Sequence, residues 1–507
     1  MTGKDMKNKQ FVIGALLSYG AIAFNILSGL LYTPWMIGKL GSDQYALYTL
    51  AVSVINIFLM DFGIGSAITK FLSNFYAEEQ QDAANQFMGI VYKIFLIIAG
   101  VIAVALTVFY FFIDAVYAKL TPTELTVFKH LFIIVAAYSV ISFPFTTFNG
   151  VLTANERFIE LKACDFLQKV TNVLFIILFL VLGMGVYALV MVHAFTNLIF
   201  LLAKYLFIRR NTKQRANMTS WDGSMAKKLF GYSAWTTVMS IAQRCIFNIM
   251  PTLIAATIGA AEVTLFSLAS TLEGYVYTFA NAINGMLMPR VSKVLGKSDA
   301  NEQLTGMMVR IGRLQICLIG LIYIGFVCVG KDFVGLWLRD RIGAGYEWVY
   351  WGAVLMIFPN LFSMPQQVAS NALLLKDVVR SQALIYTGMA LINVALSIVL
   401  LPHVGIIGAS VSVCVAYLFS FTCKNILYHK HLPVKLSTYF KKIYVKWSVV
   451  GVVTLLVYFL AVRHIPLDGW IGLVLKACIV AVTYLAMFVL LHVRKSTLTK
   501  LRGRLKH

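Results

Sequence analysis

Apolar residues gather into about fourteen runs along the chain, each with the roughly 20 residues that cross a hydrocarbon layer. Charged positions fall mostly in the short gaps between runs. The pattern predicts helices over about 11–36, 44–70, 86–113, 125–150, 163–182 and 184–208, then 227–256, 261–290, 306–330, 347–374, 380–401 and 405–428. Two more follow at about 440–462 and 468–492. Several runs exceed the spanning length, which predicts tilt or extension past the hydrocarbon. The short polar stretch from Met1 to Gln10 leads into a full-length run and reads as the flank of a first helix, not as a cleaved signal peptide. The fold class expected is an all-α integral membrane protein. An outer loop over about 331–347 is the longest on its face and too short for a soluble catalytic domain.

Composition agrees. Of 507 residues, 60% are hydrophobic and 13% charged, and the mean hydropathy is +0.80, outside the range of ordinary soluble proteins. The 43 Lys and Arg against 21 Asp and Glu leave a net charge of +22. In a soluble protein that excess would suggest nucleic acid; here the bases sit in loops and set orientation instead. One face collects Lys4, Lys7 and Lys9, the 209–215 bases, Arg290, Lys293 and Lys297. It also takes Lys424, Lys430, Lys435, Lys441, Lys442 and the tail from Arg494. The other face holds few, and there Lys331, Arg339 and Arg341 are balanced by Asp332, Asp340 and Glu347. Both termini are therefore expected in the cytoplasm, with the basic loops attracting anionic membrane lipids. Nucleic acid is not an expected partner. The seven cysteines are scattered without a CxxC pair, so neither metal nor disulfide is expected. No GxxxxGK[ST] phosphate loop and no HExxH occurs, so no cofactor and no enzymatic activity are expected.

The chain contains an internal echo. G-S-D-Q-Y-A-L-Y-T-L-A from Gly41 resembles G-A-A-E-V-T-L-F-S-L-A from Gly259. Pro144 and Pro365, Asn172 and Asn393, and Glu156 and Asp377 recur at nearly the same offset of roughly 220 residues. The predicted organisation is an N-terminal six-helix bundle (1–208), a basic cytoplasmic linker (209–226), and a second six-helix bundle (227–430). Accessory helices thirteen and fourteen (431–492) and a basic tail (493–507) complete it. Six is even, so the halves run parallel about an axis along the membrane normal, an arrangement suited to alternating access. Pro144 and Pro365 would kink helices four and ten, as bending gates or as static packing.

Few ionisable residues lie deep in the runs, where a charge costs at least about 2.5–3.5 kcal/mol and usually faces protein or a wet cavity. Arg244 and Glu273 stand at similar distances on either side of the turn near Gly259, hence at similar depth. They read either as a salt bridge holding a hairpin or as an anion-binding arginine with its resting partner. Ser233, Thr237, Ser240, Arg244 and Asn248 share one helical face; Ser270, Glu273, Tyr277, Asn281 and Asn284 share another. Such stripes fit a cavity wall and an interhelical hydrogen-bond network alike. Asp61, in M-D-F-G-I-G, reads as a proton or cation site or as a structural partner of a base such as Lys70. His193 reads as a satisfied core histidine or as a group titrating near neutral pH. Lys476 is expected to snorkel.

Between Asn25 and Phe75 the chain resembles the N-terminal signature of polysaccharide flippases. The resemblance lies in Pro34, Leu40-Gly41, Tyr45, Tyr48, Asp61-x-Gly63-x-Gly65 and Lys70. G-V-L-T-A-N-E-R-F from Gly150 resembles the loop after their fourth helix. That resemblance implies the multidrug/oligosaccharidyl-lipid/polysaccharide exporter superfamily, whose two six-helix bundles enclose a cavity lined by helices one, two, seven and eight. It implies transport of an oligosaccharide on polyprenyl (undecaprenyl) pyrophosphate across the bacterial plasma membrane, with helices thirteen and fourteen able to hold a lipid tail. A polysaccharide polymerase or other assembly proteins would be further partners. The peptidoglycan-precursor branch carries arginines in its first helices; helix one here offers Asn25 and none, against a peptidoglycan role.

The substrate-binding residues expected are Arg244 for the pyrophosphate, Lys70 and Arg290 at the cytoplasmic mouth, and Thr237, Ser240, Asn248, Asn25 and Asn281. Asp61, Glu273 and His193 are the coupling candidates. The competing expectations are a cation-coupled drug or metabolite exporter of the same fold, and a membrane glycosyltransferase or ligase.

Overall fold

The computed structural model describes residues 3–58, 64–219, 221–284, 291, 294–295, 300–376, 378–432 and 434–492. Asp61 and Arg290 lie outside the described residues. Regular structure among the described residues is helical throughout. Among the described residues, ten helical stretches are long and apolar enough to cross a membrane, eleven if the bent pair Ala234–Phe247 and Met250–Thr257 counts as one crossing. One of the ten, Glu302–Leu375, runs for 74 residues and contains two helices packed on each other, Ala300–Ile342 and Tyr346–Ile357. The protein is a polytopic, all-α membrane protein.

The expected outer loop at 331–347 is mostly helix. Ala300–Ile342 continues through Lys331, Asp332, Arg339 and Asp340 and ends in the three-residue turn Gly343–Gly345. Charged residues end an apolar run without ending a helix, because backbone hydrogen bonding continues past the hydrocarbon. Helix starts carry local signals as well. Thr121 caps Pro122–Ser142, accepting from the Glu124 amide while the Glu124 carboxylate accepts from the Thr121 amide. The two repeat glycines share one backbone requirement: Gly41 and Gly259 have φ of 84° and 123°, where a side chain is strained. Pro144 and Pro365 also behave alike. Each sits in a 3₁₀ turn, Phe143–Thr147 and Met364–Gln366, that breaks a longer helical run.

The chain forms two compact units. The first comprises residues 1–267 with 394–405. In it, Gly3–Leu40 packs along Phe158–Val181, which packs on Gly185–Asn211. Gly223–Phe247 packs against Ser42–Phe58, Ile64–Ala77 and Gln81–Val116. The basic 212–219 stretch is tied down. Buried Gln214 donates to the Ala84 carbonyl and Asn85 Oδ1 and accepts from Tyr76 Oη at 2.6 Å; the Asn217 amide donates to the Asn85 carbonyl at 2.9 Å. Only a glycine at 89 permits this approach, since a Cβ there would lie 1.8 Å from the Asn217 carbonyl oxygen. Gly89→Ala is expected to displace the 212–219 segment, cost about 1–3 kcal/mol, and open it to protease. Limited proteolysis beside a thermal melt checks this; unchanged cleavage would refute it.

The second unit comprises residues 268–393 with 406–507. Its spine is Ala300–Ile342, against which Lys446–Leu460 and Gly469–His492 pack. Small residues make the approach close, as in other membrane helix pairs. A Cβ at Gly320 would lie 2.3 Å from Trp447 Nε1 and 2.5 Å from Tyr484 Oη, and one at Gly312 2.7 Å from Ile443 Cδ1. Tyr484 Oη donates to the Ile316 carbonyl at 3.0 Å and accepts from Trp447 Nε1.

Candidate functional site

In the first unit, the Gly223–Phe247 helix ends at Asn248, and Pro251 starts the next helix, Met250–Thr257. The axis bends by 40° across this break. The Arg244 carbonyl accepts twice from Asn248, from its backbone amide at 3.0 Å and from its Nδ2 at 3.2 Å, so the side chain reinforces the last helical bond before the break. Arg244 lies on the last turn before the bend, and its guanidinium is exposed with no ion-pair partner among the described residues. Thr237 and Ser240 lie along the same helix, half-buried. Asn25 is exposed on Gly3–Leu40, and Lys70 is exposed on Ile64–Ala77. Because 223–247 packs on 64–77, the unit brings the helix of Arg244 beside the helix of Lys70.

His193 is half-buried, its ring edge-on to Tyr138 at 6.4 Å, while its carbonyl accepts from Asn197. A charge that sequence reasoning missed lies nearby in the chain. Lys204 is buried and its Nζ donates to Asp165 Oδ1 at 2.8 Å and to Asn149 Oδ1 at 2.9 Å. Lys204 stands near the end of one predicted helix and Asp165 near the start of its predecessor, so antiparallel pairing puts them level.

In the second unit, Glu273 is 4% exposed on Ala260–Asn284. Its Oε1 accepts from Asn360 Nδ2 at 2.8 Å. Asn360 comes from a fracture in the tenth predicted helix: Tyr346–Ile357 stops, Pro359 caps the short Asn360–Ser363, and the Met364–Gln366 turn precedes Gln367–Leu375. Pro359-Asn360 inside an apolar run was the available signal for a broken helix that turns an amide inward. Asn281 is exposed on the Glu273 helix. Lys424, counted from sequence with the loop charges, lies inside Ile406–His431. Its Nζ donates to Tyr386 Oη at 2.9 Å and rests 4.3 Å from the ring centroid, a cation–π geometry. Lys476 is 8% exposed and lines a cavity of about 690 Å³ with Lys331, Arg339 and Arg463.

Arg244 and Asn360 thus stand at helix breaks inside apolar runs, where polar groups of a membrane protein usually face protein or a wet cavity. The family described as polysaccharide biosynthesis protein matches residues 40–341, more than half of the chain. The chain belongs to this family. Among curated proteins, no sequence match is found. The family member is similar in fold to the lipid II flippase MurJ in an inward closed conformation, with a TM-score of 0.71 at 13% identity over 94% of this chain and 98% of that one. It is similar to an inward-facing multidrug resistance MATE transporter of the MOP superfamily, at 0.64 and 13% over 82% and 98%. A MOP superfamily transporter from Pyrococcus furiosus, described for the reverse polarity of its binding pocket, aligns at 0.58 and 13% over 83% and 96%. The polysaccharide biosynthesis family member thus has the fold of these transporters.

Proposed function

We propose that the protein is a flippase that moves an oligosaccharide carried on polyprenyl pyrophosphate across the bacterial plasma membrane by alternating access, with both termini cytoplasmic. The observation that carries this reading is Arg244. Its guanidinium is exposed at a bend inside an apolar run and has no ion-pair partner among the described residues. Glu273, the acid that the sequence offers as its resting partner, instead accepts a hydrogen bond from Asn360. An uncompensated guanidinium at membrane depth suits a strongly anionic headgroup, which it can bind bidentately. Thr237, Ser240, Asn248, Asn25 and Asn281 would contact sugar hydroxyls, and Lys70 and Arg290 would attract the phosphates at the entrance. Membership of a polysaccharide biosynthesis family supports the substrate class. In this reading the 1–208 and 227–430 bundles are the two rocking halves and 431–492 is accessory.

The test is binding to the purified protein. Polyprenyl pyrophosphate is expected to bind more tightly than polyprenol, and Arg244→Ala is expected to erase the difference. Equal binding of the two lipids by wild type would sink the reading.

The second reading is a cation-coupled exporter. It is favoured by the buried carboxylate of Glu273, which resembles a proton site, and by the likeness to MATE transporters. Asp61, Glu273 and His193 would be coupling groups in either case. Glu273→Gln keeps the Asn360 hydrogen bond but removes the titration. It is expected to abolish any dependence of transport on a pH gradient; transport that still responds to the gradient would exclude this carboxylate from coupling.

A further inference from the structure

A second basic site lies in the second unit, away from Arg244 in the chain. The Ala300–Ile342 helix carries Arg310 and Arg313 one turn apart near its start. The Ile406–His431 helix ends beside this turn, and the Lys435 amide donates to Thr305 Oγ1 at 3.2 Å. The chain then enters Leu436–Phe440 and the π turn Lys441–Val445. A π turn shifts every later side chain round the helix axis. Together these segments enclose a cavity of about 680 Å³ lined by Arg310, Arg313, Lys435 and Lys442, with Glu302 as its one lining acid. Among the described residues none of these four cations has an ion-pair partner, and Arg313 Nε is buried without a hydrogen bond.

The walls between the charges are apolar, from Val309, Leu432 and Val434. Close packing sets the geometry, because Gly312 lets Tyr439 and Ile443 press against the arginine-bearing helix. Four cations on three segments, set among aliphatic side chains at the end of spanning helices, match the mixed chemistry of a lipid phosphate with its acyl chains better than that of a soluble anion. We infer that this cavity binds the headgroup of an anionic phospholipid of the phosphatidylglycerol class. Its phosphate would lie between Arg313 and Lys442, and its acyl chains would follow Val309 and Val434. The site would anchor accessory helix thirteen to the 300–342 helix through a lipid. The inference is independent of the transported substrate.

The test uses the full chain in nanodiscs, extracted into detergent and examined by native mass spectrometry. Wild type is expected to retain phosphatidylglycerol over phosphatidylcholine. The exposed-site variants Arg310→Glu and Lys442→Glu are expected to lower retention by about tenfold each, at roughly 1 kcal/mol per charge neutralised and more for reversal. Lys119→Glu, an exposed base in the other unit, is expected to leave retention unchanged. Equal retention in wild type and both reversals would overturn the inference, as would equal retention of phosphatidylcholine. Retention of polyprenyl pyrophosphate but not phosphatidylglycerol would also overturn it, in favour of a substrate entry site.

Discussion

Arg244→Ala is expected to lower translocation of a lipid-linked oligosaccharide by about one hundredfold at matched protein level. The pyrophosphate loses a charge-assisted, bidentate partner at a depth where water competes poorly. Such a loss costs about 2–4 kcal/mol. The side chain is exposed and makes no ion pair among the described residues, so the fold should survive its removal. Arg244→Lys keeps the charge but not the planar fork, and should restore only part of the rate. The measurement is the initial flipping rate in proteoliposomes, with melting temperature as the control. A variant that folds and flips like wild type would remove Arg244 from the site.

Asn360→Leu is expected to be the most damaging single change in the second unit. It leaves the buried Glu273 carboxylate without the donor now 2.8 Å away. An unsatisfied buried acceptor costs about 1–3 kcal/mol, and more when it is ionised. The double variant Glu273→Leu with Asn360→Leu removes both polar groups and should recover much of that loss. A double-mutant cycle by thermal or chaotropic unfolding reads this coupling directly. Additive effects, with no recovery in the double variant, would show that the two side chains do not depend on each other.

Much of the fold was legible in the hydrophobic pattern. Apolar runs of spanning length have one stable solution in lipid, so helix type and approximate position follow from where the runs fall. Helix ends were less legible. Charges at 331–341 read as loop, yet the helix runs to Ile342, because leaving the hydrocarbon does not unwind a helix. Breaks were legible only where proline marked them, as at Pro144 and Pro365; the π turn at Lys441–Val445 has no such marker.

The candidate site was legible by residue type but not by partner. The position of Arg244 just before a bend follows from Asn248 and Pro251. The donor to Glu273 lies eighty-seven positions away in a fractured helix, and no local pattern links the two. Lys424 and Lys204 were hidden for a related reason. Each stands near the end of its apolar run, where a base is normally a loop charge. Tertiary packing instead gives Lys424 the Tyr386 ring and hydroxyl, and gives Lys204 the Asp165 carboxylate.

A carrier of a pyrophosphate-linked sugar and a carrier of a soluble cation differ in what crosses the membrane. The most direct measurement places purified protein in vesicles with a polyprenyl pyrophosphate oligosaccharide bearing a fluorophore on its sugar. A membrane-impermeant quencher then reports the fraction of headgroups on the outer face over time. For a flippase, quenching rises beyond the outer-leaflet half in a protein-dependent manner, and polyprenyl pyrophosphate without sugar competes. Quenching that stays at the outer-leaflet half, in vesicles where the same protein exchanges an organic cation for protons, would contradict the flippase reading.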